Sequence, residues 1–246
     1  MVRKTAIIVG GSSEIGLAVA KKIFKSGKDL ALTYNLNKKE IDNFMKDKKE
    51  GTKVEAYKLD LTQKDEIEKV FSQIEDEFPY IDTLIFCAGV AQKRALIMDT
   101  TNSEIDNLFD VNIKSSIKCV REFVKMTVNK HPANIVLVGS FVEKFGCSCE
   151  SVYTATKSAL TGLCKSLANE LGNLDVRINV VAPGFIDTKM NNNLTTEEKD
   201  DIAEMTPLKR LGTAEDVANC VAFLSSDDAS FVTGQTLFVD GGLILE

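Results

Sequence analysis

The segment SVYTATKSAL places a tyrosine and a lysine, Tyr153 and Lys157, four residues apart. Side chains at i and i+4 lie on the same face of a helix, so we expect the Lys157 ammonium to reach the ring oxygen of Tyr153. A nearby positive charge favours ionised tyrosine, which predicts a Tyr153 pKa below its ordinary value of about 10. The pair is therefore predicted to act as a general acid and base on a hydroxyl or a carbonyl.

A serine, Ser140, ends the apolar run VLVGS thirteen residues before the tyrosine. Its hydroxyl is suited to donate a hydrogen bond to the same carbonyl oxygen as negative charge develops there. A tyrosine and a lysine at this spacing also occur by chance on exposed helices. The order along the chain favours the catalytic interpretation, because a glycine-rich turn comes first, then the serine, then Tyr153 and Lys157.

The glycine-rich turn is VGGSSEIG, residues 9–16, between an apolar run and a segment of helical period. In a doubly wound sheet such a turn presents backbone N–H groups and a helix N-terminus to a dinucleotide pyrophosphate. Its glycines permit the turn, and Ser12 and Ser13 offer hydroxyls to the phosphate region. Glu14 begins the helix, where the macrodipole favours a carboxylate, and we expect its side chain to turn away from the phosphates.

The end of the second predicted strand, in LALTYNLNKK, bears on the choice of cofactor. NAD-selective folds place an acidic residue here to hold the ribose 2′-hydroxyl, whereas this chain has Tyr34 and Asn35. Lys38 and Lys39 follow, and an anionic 2′-phosphate is compatible with such a site. The segment therefore favours NADP(H) over NAD(H); alternatively, the two lysines only solvate the start of a helix.

Apolar runs of strand length alternate along the chain with longer stretches of helical period. This alternation predicts an α/β protein, a doubly wound parallel sheet with helices on both faces. A polar, acidic stretch at about 187–210 is followed by only one helix and one strand, too little for a second domain. We therefore predict a single domain over residues 1–246, with a substrate loop at about 187–210.

The composition argues against several classes of function. The 246 residues carry a formal net charge of −6 and the lysines are spread along the chain, which disfavours binding to nucleic acid or to an acidic membrane. No apolar run has the length of a membrane span or a signal peptide, so we expect a cytoplasmic protein. Six scattered cysteines and a single histidine, His131, predict that no metal is bound.

Over essentially its whole length the sequence resembles the short-chain dehydrogenase/reductase family. The resemblance rests on GGSSEIG, LDLT, CAG, DVNIKSS, the serine at 140, YTATK, NVVAPGFIDTKM and FVTGQTLFVDGG, in that order. It implies a Rossmann fold and hydride transfer between a nicotinamide cofactor and a carbonyl or alcohol. It also implies that Asp60 holds the adenine, that Asn112 helps to order a water-linked proton relay, and that residues 183–188 wrap the nicotinamide end.

Two sets of site residues follow from the motifs and the resemblance together. The predicted catalytic residues are Ser140, Tyr153, Lys157 and Asn112. The residues expected to bind NADP(H) are Gly10, Ser12, Ser13, Ile15, Gly16, Tyr34, Asn35, Asp60, Leu61, Ala88, Gly89, Tyr153, Lys157, Pro183, Gly184, Ile186 and Thr188.

Three features depart from the family pattern, and all of them lie where the cofactor is supported. Val9 stands where the glycine loop usually opens with threonine, and Glu14 replaces the middle glycine of that loop. Phe86 and Cys87 replace two asparagines of the central strand. We expect altered cofactor affinity with intact chemistry, because no catalytic group is removed.

Within the family, the length and the tail PLKRLGTAEDVANCVAFLSSDDASFVTGQTLFVDGG are most similar to 3-oxoacyl-[acyl-carrier-protein] reductases of fatty acid synthesis. That resemblance implies a carbonyl substrate carried on acyl carrier protein. Two features weigh against it, since the chain is acidic and has Leu174 where such reductases often carry arginine. The family further implies a homotetramer or homodimer, and small residues on the helix 153–171 permit close contact between copies.

Two alternative functions remain open at this point. The stretches CSCESVYTATK and PGFIDTKMNNN also resemble bacterial reductases of the 5-aminopentanone modification on elongation factor P. Glu143 and Glu150 would then supply a complementary field for a cationic substrate. The other alternative is a non-catalytic NADP(H)-binding regulator, against which the retained Ser140, Tyr153 and Lys157 argue.

Overall fold

The structure is a computed structural model that describes residues 3–46, 51–192 and 194–243. Within these residues one parallel sheet is formed by the strands β1 (Thr5–Val9), β2 (Asp29–Tyr34), β3 (Val54–Lys58), β4 (Ile81–Phe86), β5 (Ala133–Val138), β6 (Val176–Pro183) and β7 (Thr236–Val239). Their order is β3-β2-β1-β4-β5-β6-β7. The order reverses between β1 and β4, and in such sheets a crevice opens there at the carboxyl ends of the strands.

Helices cover both faces of this sheet. They are α1 (Glu14–Lys25), α2 (Lys39–Lys46), α3 (Glu66–Glu77), α4 (Asn102–Phe109), α5 (Ser115–Thr127), α6 (Val142–Phe145), α7 (Ser151–Leu171), α8 (Thr196–Met205) and α9 (Ala214–Leu224). Helices α3, α5 and α7 pack on one face, and α1, α2 and α9 pack on the other. The predicted single-domain, doubly wound fold is therefore confirmed. Among the described residues, no helix is both long and apolar enough to cross a bilayer.

The strands are apolar on both sides because both sides are covered. In β1, Ile7 and Val9 belong to the core beneath α3, α5 and α7, whereas Ala6 and Ile8 belong to the core beneath α1, α2 and α9. Successive side chains of a strand point to opposite faces, so a continuous apolar run serves two cores at once. The result is a rigid central sheet whose carboxyl edge carries the loops that follow β1, β4, β5 and β6.

The segment predicted as a substrate loop at about 187–210 contains a helix of its own. Helix α8 begins with a capping box in which the Thr195 side chain accepts from the Glu198 backbone and Glu198 accepts from the Thr195 backbone. A further anchor is the contact of 2.8 Å between Lys199 Nζ and Asp187 Oδ1. Asn193, within the predicted loop, lies outside the described residues. Helix α8 was not predicted from the sequence, because none of its residues is buried and its apolar period is weak.

Candidate active site

The predicted catalytic side chains meet beside the end of β5. Ser140 follows that strand by two residues, and Tyr153 and Lys157 lie on the first turns of α7. All three line one pocket. Ser140 is 8% exposed and Lys157 is 5% exposed, so these two polar groups are largely removed from water.

The pKa of Tyr153 does not shift in the direction predicted from spacing. Burial raises the pKa of Tyr153 to about 12; the Ser140 hydroxyl opposes this rise, and the negative charge of Glu150 adds to it. The Lys157 ammonium lies 5.7 Å from the ring centre of Tyr153 and donates instead to the Val138 carbonyl at 3.0 Å. The expectation of a lowered Tyr153 pKa is thus wrong for this arrangement, because burial raises the pKa and Lys157 donates to Val138 and not to the phenol oxygen. The tyrosine holds its proton and is ready to donate it.

Lys157 is the buried cation of the site. Burial lowers the pKa of Lys157 to about 8, and the carboxylate of Glu143 opposes this shift. Its hydrogen bond to Val138 fixes the ammonium against the end of β5. The lysine therefore changes charge only slightly above neutral pH, in a pocket that also contains the proton donor.

Asn112 lies in a π-helical turn, Asp110–Lys114, between α4 and α5. Its side chain accepts from the Val90 backbone N–H at 2.8 Å and donates to the Val90 carbonyl at 3.0 Å and to the Thr156 hydroxyl at 3.2 Å. Single π-helical turns within longer helices often mark functional sites. Here the turn ties the segment after β4 to α7, and the role of Asn112 in a proton relay stays a prediction.

A second, larger groove adjoins the pocket and runs along the glycine-rich turn. Of the predicted cofactor residues, it is lined by Gly10, Ser12, Ser13, Ile15, Tyr34, Asn35, Asp60, Leu61, Ala88, Gly89 and Thr188. The remaining ones that line the catalytic pocket are Tyr153, Lys157, Pro183, Gly184 and Ile186. Ile15, Gly89 and Thr188 line both spaces, which makes the two continuous.

Gly16 contributes to the groove indirectly. It is buried, and its N–H donates to the Ser13 side chain at 3.0 Å, capping the start of α1. A Cβ at this position would stand 2.2 Å from the Gly10 carbonyl oxygen. Gly16 therefore allows α1 to approach the turn closely, and this packing holds Gly10 and Ser13 in their positions along the groove.

The groove fits a dinucleotide at the two places where backbone must come close. Gly10 has φ +80°, and a Cβ there would lie 2.7 Å from the Ala88 backbone nitrogen. A Cβ on Gly89 would lie 3.4 Å from both the Asn112 side-chain oxygen and Lys157 Nζ. The turn at Gly10, next to the N-terminus of α1, has the form of the anion-binding turns that precede helices in doubly wound sheets.

At the end of the groove that contains Asp60, the structure differs in part from the sequence prediction, because Lys38 and Lys39 are not among the residues that line the groove. Asp60 accepts from the backbone N–H of Thr62 at 3.0 Å and from its hydroxyl at 2.7 Å, and the hydroxyl contact is the main cause of its lowered pKa. Past the second strand, Asn37 and Glu40 line the groove. Lys38 is paired with Asp42 at 3.5 Å, as expected of a lysine that solvates a helix start.

Glu14 spans the groove to its opposite wall. Its carboxylate accepts the backbone N–H of Lys189, in the segment after β6, at 2.5 Å. Both residues line the groove, so the orientation of the Glu14 side chain relative to the phosphates stays a prediction. Glu14, which replaces the middle glycine of the turn, thus links the turn directly to the segment that contains α8.

Sequence reasoning missed two residues at the pocket. Gln92 is 8% exposed, and its side-chain oxygen accepts from the backbone N–H groups of Val152 at 3.1 Å and Tyr153 at 3.0 Å. Arg94 lies at the mouth, 3.6 Å from Glu150 and 3.7 Å from Glu198 of α8. Gln92 is separated from Tyr153 by sixty-one residues, and the available signal was its place just after a central strand of a parallel sheet.

Comparison with known proteins agrees with this geometry. The profile of a family described as Enoyl-(Acyl carrier protein) reductase matches residues 10–244. A relative from Staphylococcus epidermidis, 3-oxoacyl-[acyl-carrier-protein] reductase FabG, is 32% identical over 243 residues, covering 98% of this chain and 99% of the relative. A relative of the same name from Salmonella typhimurium is 32% identical over 244 residues, covering 98% of each chain.

Solved structures give the same result. A short-chain dehydrogenase/reductase from Brucella melitensis, named glucose/ribitol dehydrogenase, has a TM-score of 0.92 at 29% identity, covering 100% of this chain and 98% of that one. A structure described as ElxO with NADP bound has a TM-score of 0.90 at 29% identity, covering 98% and 99%. The chain belongs to the short-chain dehydrogenase/reductase family. It is therefore an oxidoreductase that acts on CH–OH and C=O groups, and members of its family bind nicotinamide cofactors.

Proposed function

We propose that the protein is an NADPH-dependent carbonyl reductase that reduces the 3-oxo group of an acyl thioester carried on acyl carrier protein. The observation that carries the proposal is the half-buried Tyr153, whose pKa of about 12 keeps it protonated beside Ser140, in a pocket continuous with the groove along the glycine turn. The two FabG relatives, each aligned over nearly the whole chain, support the substrate class.

The residues of the pocket divide the reaction between them. When bound, the nicotinamide supplies the hydride that the carbonyl carbon receives. Tyr153 gives its phenolic proton to the carbonyl oxygen, so that the ketone gains a hydride and a proton and becomes an alcohol. The Ser140 hydroxyl donates to the same oxygen while negative charge develops on it. The Lys157 ammonium offsets the charge left on Tyr153, and the low exposure of Lys157 and Ser140 strengthens these interactions.

The residues proposed to hold NADP(H) are those that line the groove and its junction with the pocket. The glycine turn and the start of α1 would receive the pyrophosphate, and Asp60 would receive the adenine. Tyr34 and Asn35 support NADP(H), because neither competes as an anion with a 2′-phosphate. The neighbouring Glu40 makes the site less basic than its sequence implies, so the preference is expected to be moderate.

Substrate turnover tests the proposal. The purified protein is supplied with 3-oxoacyl thioesters on acyl carrier protein, with NADPH or NADH, and cofactor oxidation is followed. We expect turnover of the thioesters and a higher kcat/KM with NADPH. Turnover of elongation factor P carrying the 5-aminopentanone group, without turnover of thioesters, would replace the substrate class. Cofactor binding with no turnover of either substrate would favour the regulator.

One contact weighs against a cationic substrate. Glu150, which would attract such a group, is already 3.6 Å from the Arg94 guanidinium, and its side chain is only 21% exposed. A cation entering the pocket would have to displace that arginine or leave it beside another positive charge. The acyl thioester is consequently the better fit to the mouth of the pocket.

We propose that α7 also forms a contact between copies of the chain, in a homotetramer or homodimer. Ala155 and Gly162 are exposed, and a Cβ on Gly162 would meet nothing within 4 Å. Small exposed residues let two helices approach closely. Light scattering after gel filtration should give a multiple of the 27.0 kDa chain mass, and Gly162→Arg should lower that multiple.

A further inference from the structure

A carboxylate of unusual environment lies beneath the active site. Glu143 is on α6, three residues after Ser140, and its Oε1 accepts from the Thr161 hydroxyl at 2.6 Å. Its other oxygen, Oε2, is buried and has no hydrogen-bond partner among the described residues. Leaving half of a carboxylate unpartnered is costly, and such groups often have a functional reason.

The unpartnered oxygen points at the backbone beside the catalytic serine. A Cβ on Gly139 would stand 2.8 Å from Oε2, so bare backbone makes room for the carboxylate. Gly139 lies between Ser140 and Val138, and the Val138 carbonyl accepts the Lys157 ammonium at 3.0 Å. The Glu143 carboxylate and the Lys157 ammonium therefore flank the same three-residue stretch.

The other ionisable groups near Lys157 are neutral. Burial raises the pKa values of Cys87, at the end of β4, and of Tyr153, on the same helix, to about 12. Around Glu143 stand the Thr161 hydroxyl, the Ser140 backbone N–H and the Thr236 hydroxyl of β7, all of which lower its pKa. The Cys164 thiol is also near, and burial raises its own pKa to about 12. Burial raises the pKa of Glu143, and Lys157 opposes that rise, while Glu143 raises the pKa of Lys157. Glu143 is thus the negative charge that faces Lys157 in this part of the described chain.

We propose that Glu143 is a positioning residue that keeps Lys157 charged and directed at the end of β5. The inference rests on the catalytic role proposed above for Lys157. It gives a reason for a half-partnered buried carboxylate next to the reacting groups: the charge acts through space on the lysine, and Thr161 holds it in place. The substrate and cofactor need not touch Glu143.

The pH dependence of turnover is the first test. Glu143→Gln removes the charge at nearly constant shape, so the pKa of Lys157 should fall and the alkaline limb of kcat should move to lower pH by about one unit. The KM for NADPH should stay within about twofold, because the groove is unchanged. Glu143→Asp should restore part of the shift. Thr161→Val, which keeps the carboxylate and removes its hydroxyl partner, should move the alkaline limb less than Glu143→Gln does.

Direct titration of Lys157 separates this inference from the proposed substrate. The protein is labelled with ε-13C-lysine, the Lys157 signal is assigned with Lys157→Arg, and its pKa is read by NMR in the parent and in Glu143→Gln. A lower pKa in the variant supports the charge pairing even if no thioester is reduced. An unchanged Lys157 pKa in a variant whose thermal unfolding matches the parent overturns the pairing, whatever the enzyme turns over.

Discussion

The groove along the glycine turn and the pocket around Tyr153 share one edge of the sheet, yet water reaches them differently. In the groove, Ser13 and Glu14 are exposed. In the pocket, Lys157 and Ser140 are nearly buried, and burial is the largest cause of the raised pKa of the tyrosine, about 12, and of the lowered pKa of the lysine, about 8. A charge near water costs little, whereas a charge in a dry site changes the ionisation of its neighbours.

This difference explains where the chain tolerates departures from its family. Glu14, a carboxylate in place of a loop glycine, finds a partner in the Lys189 N–H across the groove. The pocket retains its serine, tyrosine and lysine, and there the Ser140 hydroxyl lowers the pKa of Tyr153 against the effect of burial. Substitutions in the groove should therefore change cofactor affinity, and substitutions in the pocket should change the rate of the chemical step.

The largest expected effect is the loss of the proton donor. Tyr153→Phe removes the hydroxyl and keeps the ring, so kcat should fall by about 10³-fold while NADPH still binds. Tyr80→Phe is the matched control, because Tyr80 stacks on His131 before β4 and not in the pocket. If Tyr153→Phe retained the parent kcat, as Tyr80→Phe should, the pocket would not be what determines the rate of the chemical step.

Gln92 gives the next largest effect, because it holds the first turn of α7. Gln92→Leu leaves the buried N–H groups of Val152 and Tyr153 without an acceptor, which should cost about 1–3 kcal/mol of unfolding free energy and lower kcat by about tenfold. Gln92→Glu keeps an acceptor at a helix N-terminus and should stay close to the parent. Chemical denaturation and steady-state kinetics measure the two quantities. Equal effects of the two substitutions would rule out the hydrogen bonds as the cause.

The third prediction concerns the pH dependence of kcat in the parent enzyme, which should change little at neutral pH and decline clearly above it. Lys157 is charged below its pKa of about 8 and neutral above it, so kcat should decline as the pH rises through that value. Unfolded lysine binds its proton up to a higher pH, so this group makes folding more favourable over the same interval and the decline is not unfolding. A plateau of kcat that continues well past pH 8 would contradict the assignment.

The smallest expected effect belongs to the groove. Glu14→Gln removes the charge and keeps an oxygen for the Lys189 N–H, so the Kd for NADPH should fall about threefold at low ionic strength, with less difference at high salt. Glu66→Gln, in the first turn of α3, is the control for a loss of charge elsewhere. Isothermal titration measures both. A change in kcat larger than the change in Kd would show that groove and pocket are not separable in this way.

The sequence predicted the features that depend on period and order. Alternating apolar runs indicated the parallel sheet, and the order of serine, tyrosine and lysine indicated a pocket in which they meet. Helix α8 was missed because its capping box stabilises it without a buried face. Gln92 and Glu143 were missed as partners of the catalytic residues because their contacts exist only after folding.

The pKa of Tyr153 is raised where the sequence predicted that it would be lowered, and this difference has a single physical cause. Helical spacing fixes how close Lys157 comes to the ring, but it does not fix how dry the ring is or which acceptor takes the ammonium. In the structure the Lys157 ammonium donates to the Val138 carbonyl, and desolvation is the largest cause of the shift in the tyrosine pKa. Proximity is readable from a sequence, whereas burial is a property of the assembled fold.

The hydrogen bond from Lys157 to the Val138 carbonyl gives the lysine a structural role in addition to its proposed catalytic one. The Lys157 ammonium donates to the last carbonyl of β5, a buried backbone group of the kind that folded proteins keep hydrogen-bonded. Natural selection for a well-folded chain alone would then preserve this lysine, even in a descendant that had ceased to turn over substrate. Among diverged copies of such a protein, loss of the tyrosine should therefore precede loss of the lysine, and it is the better sign that catalytic activity has been lost.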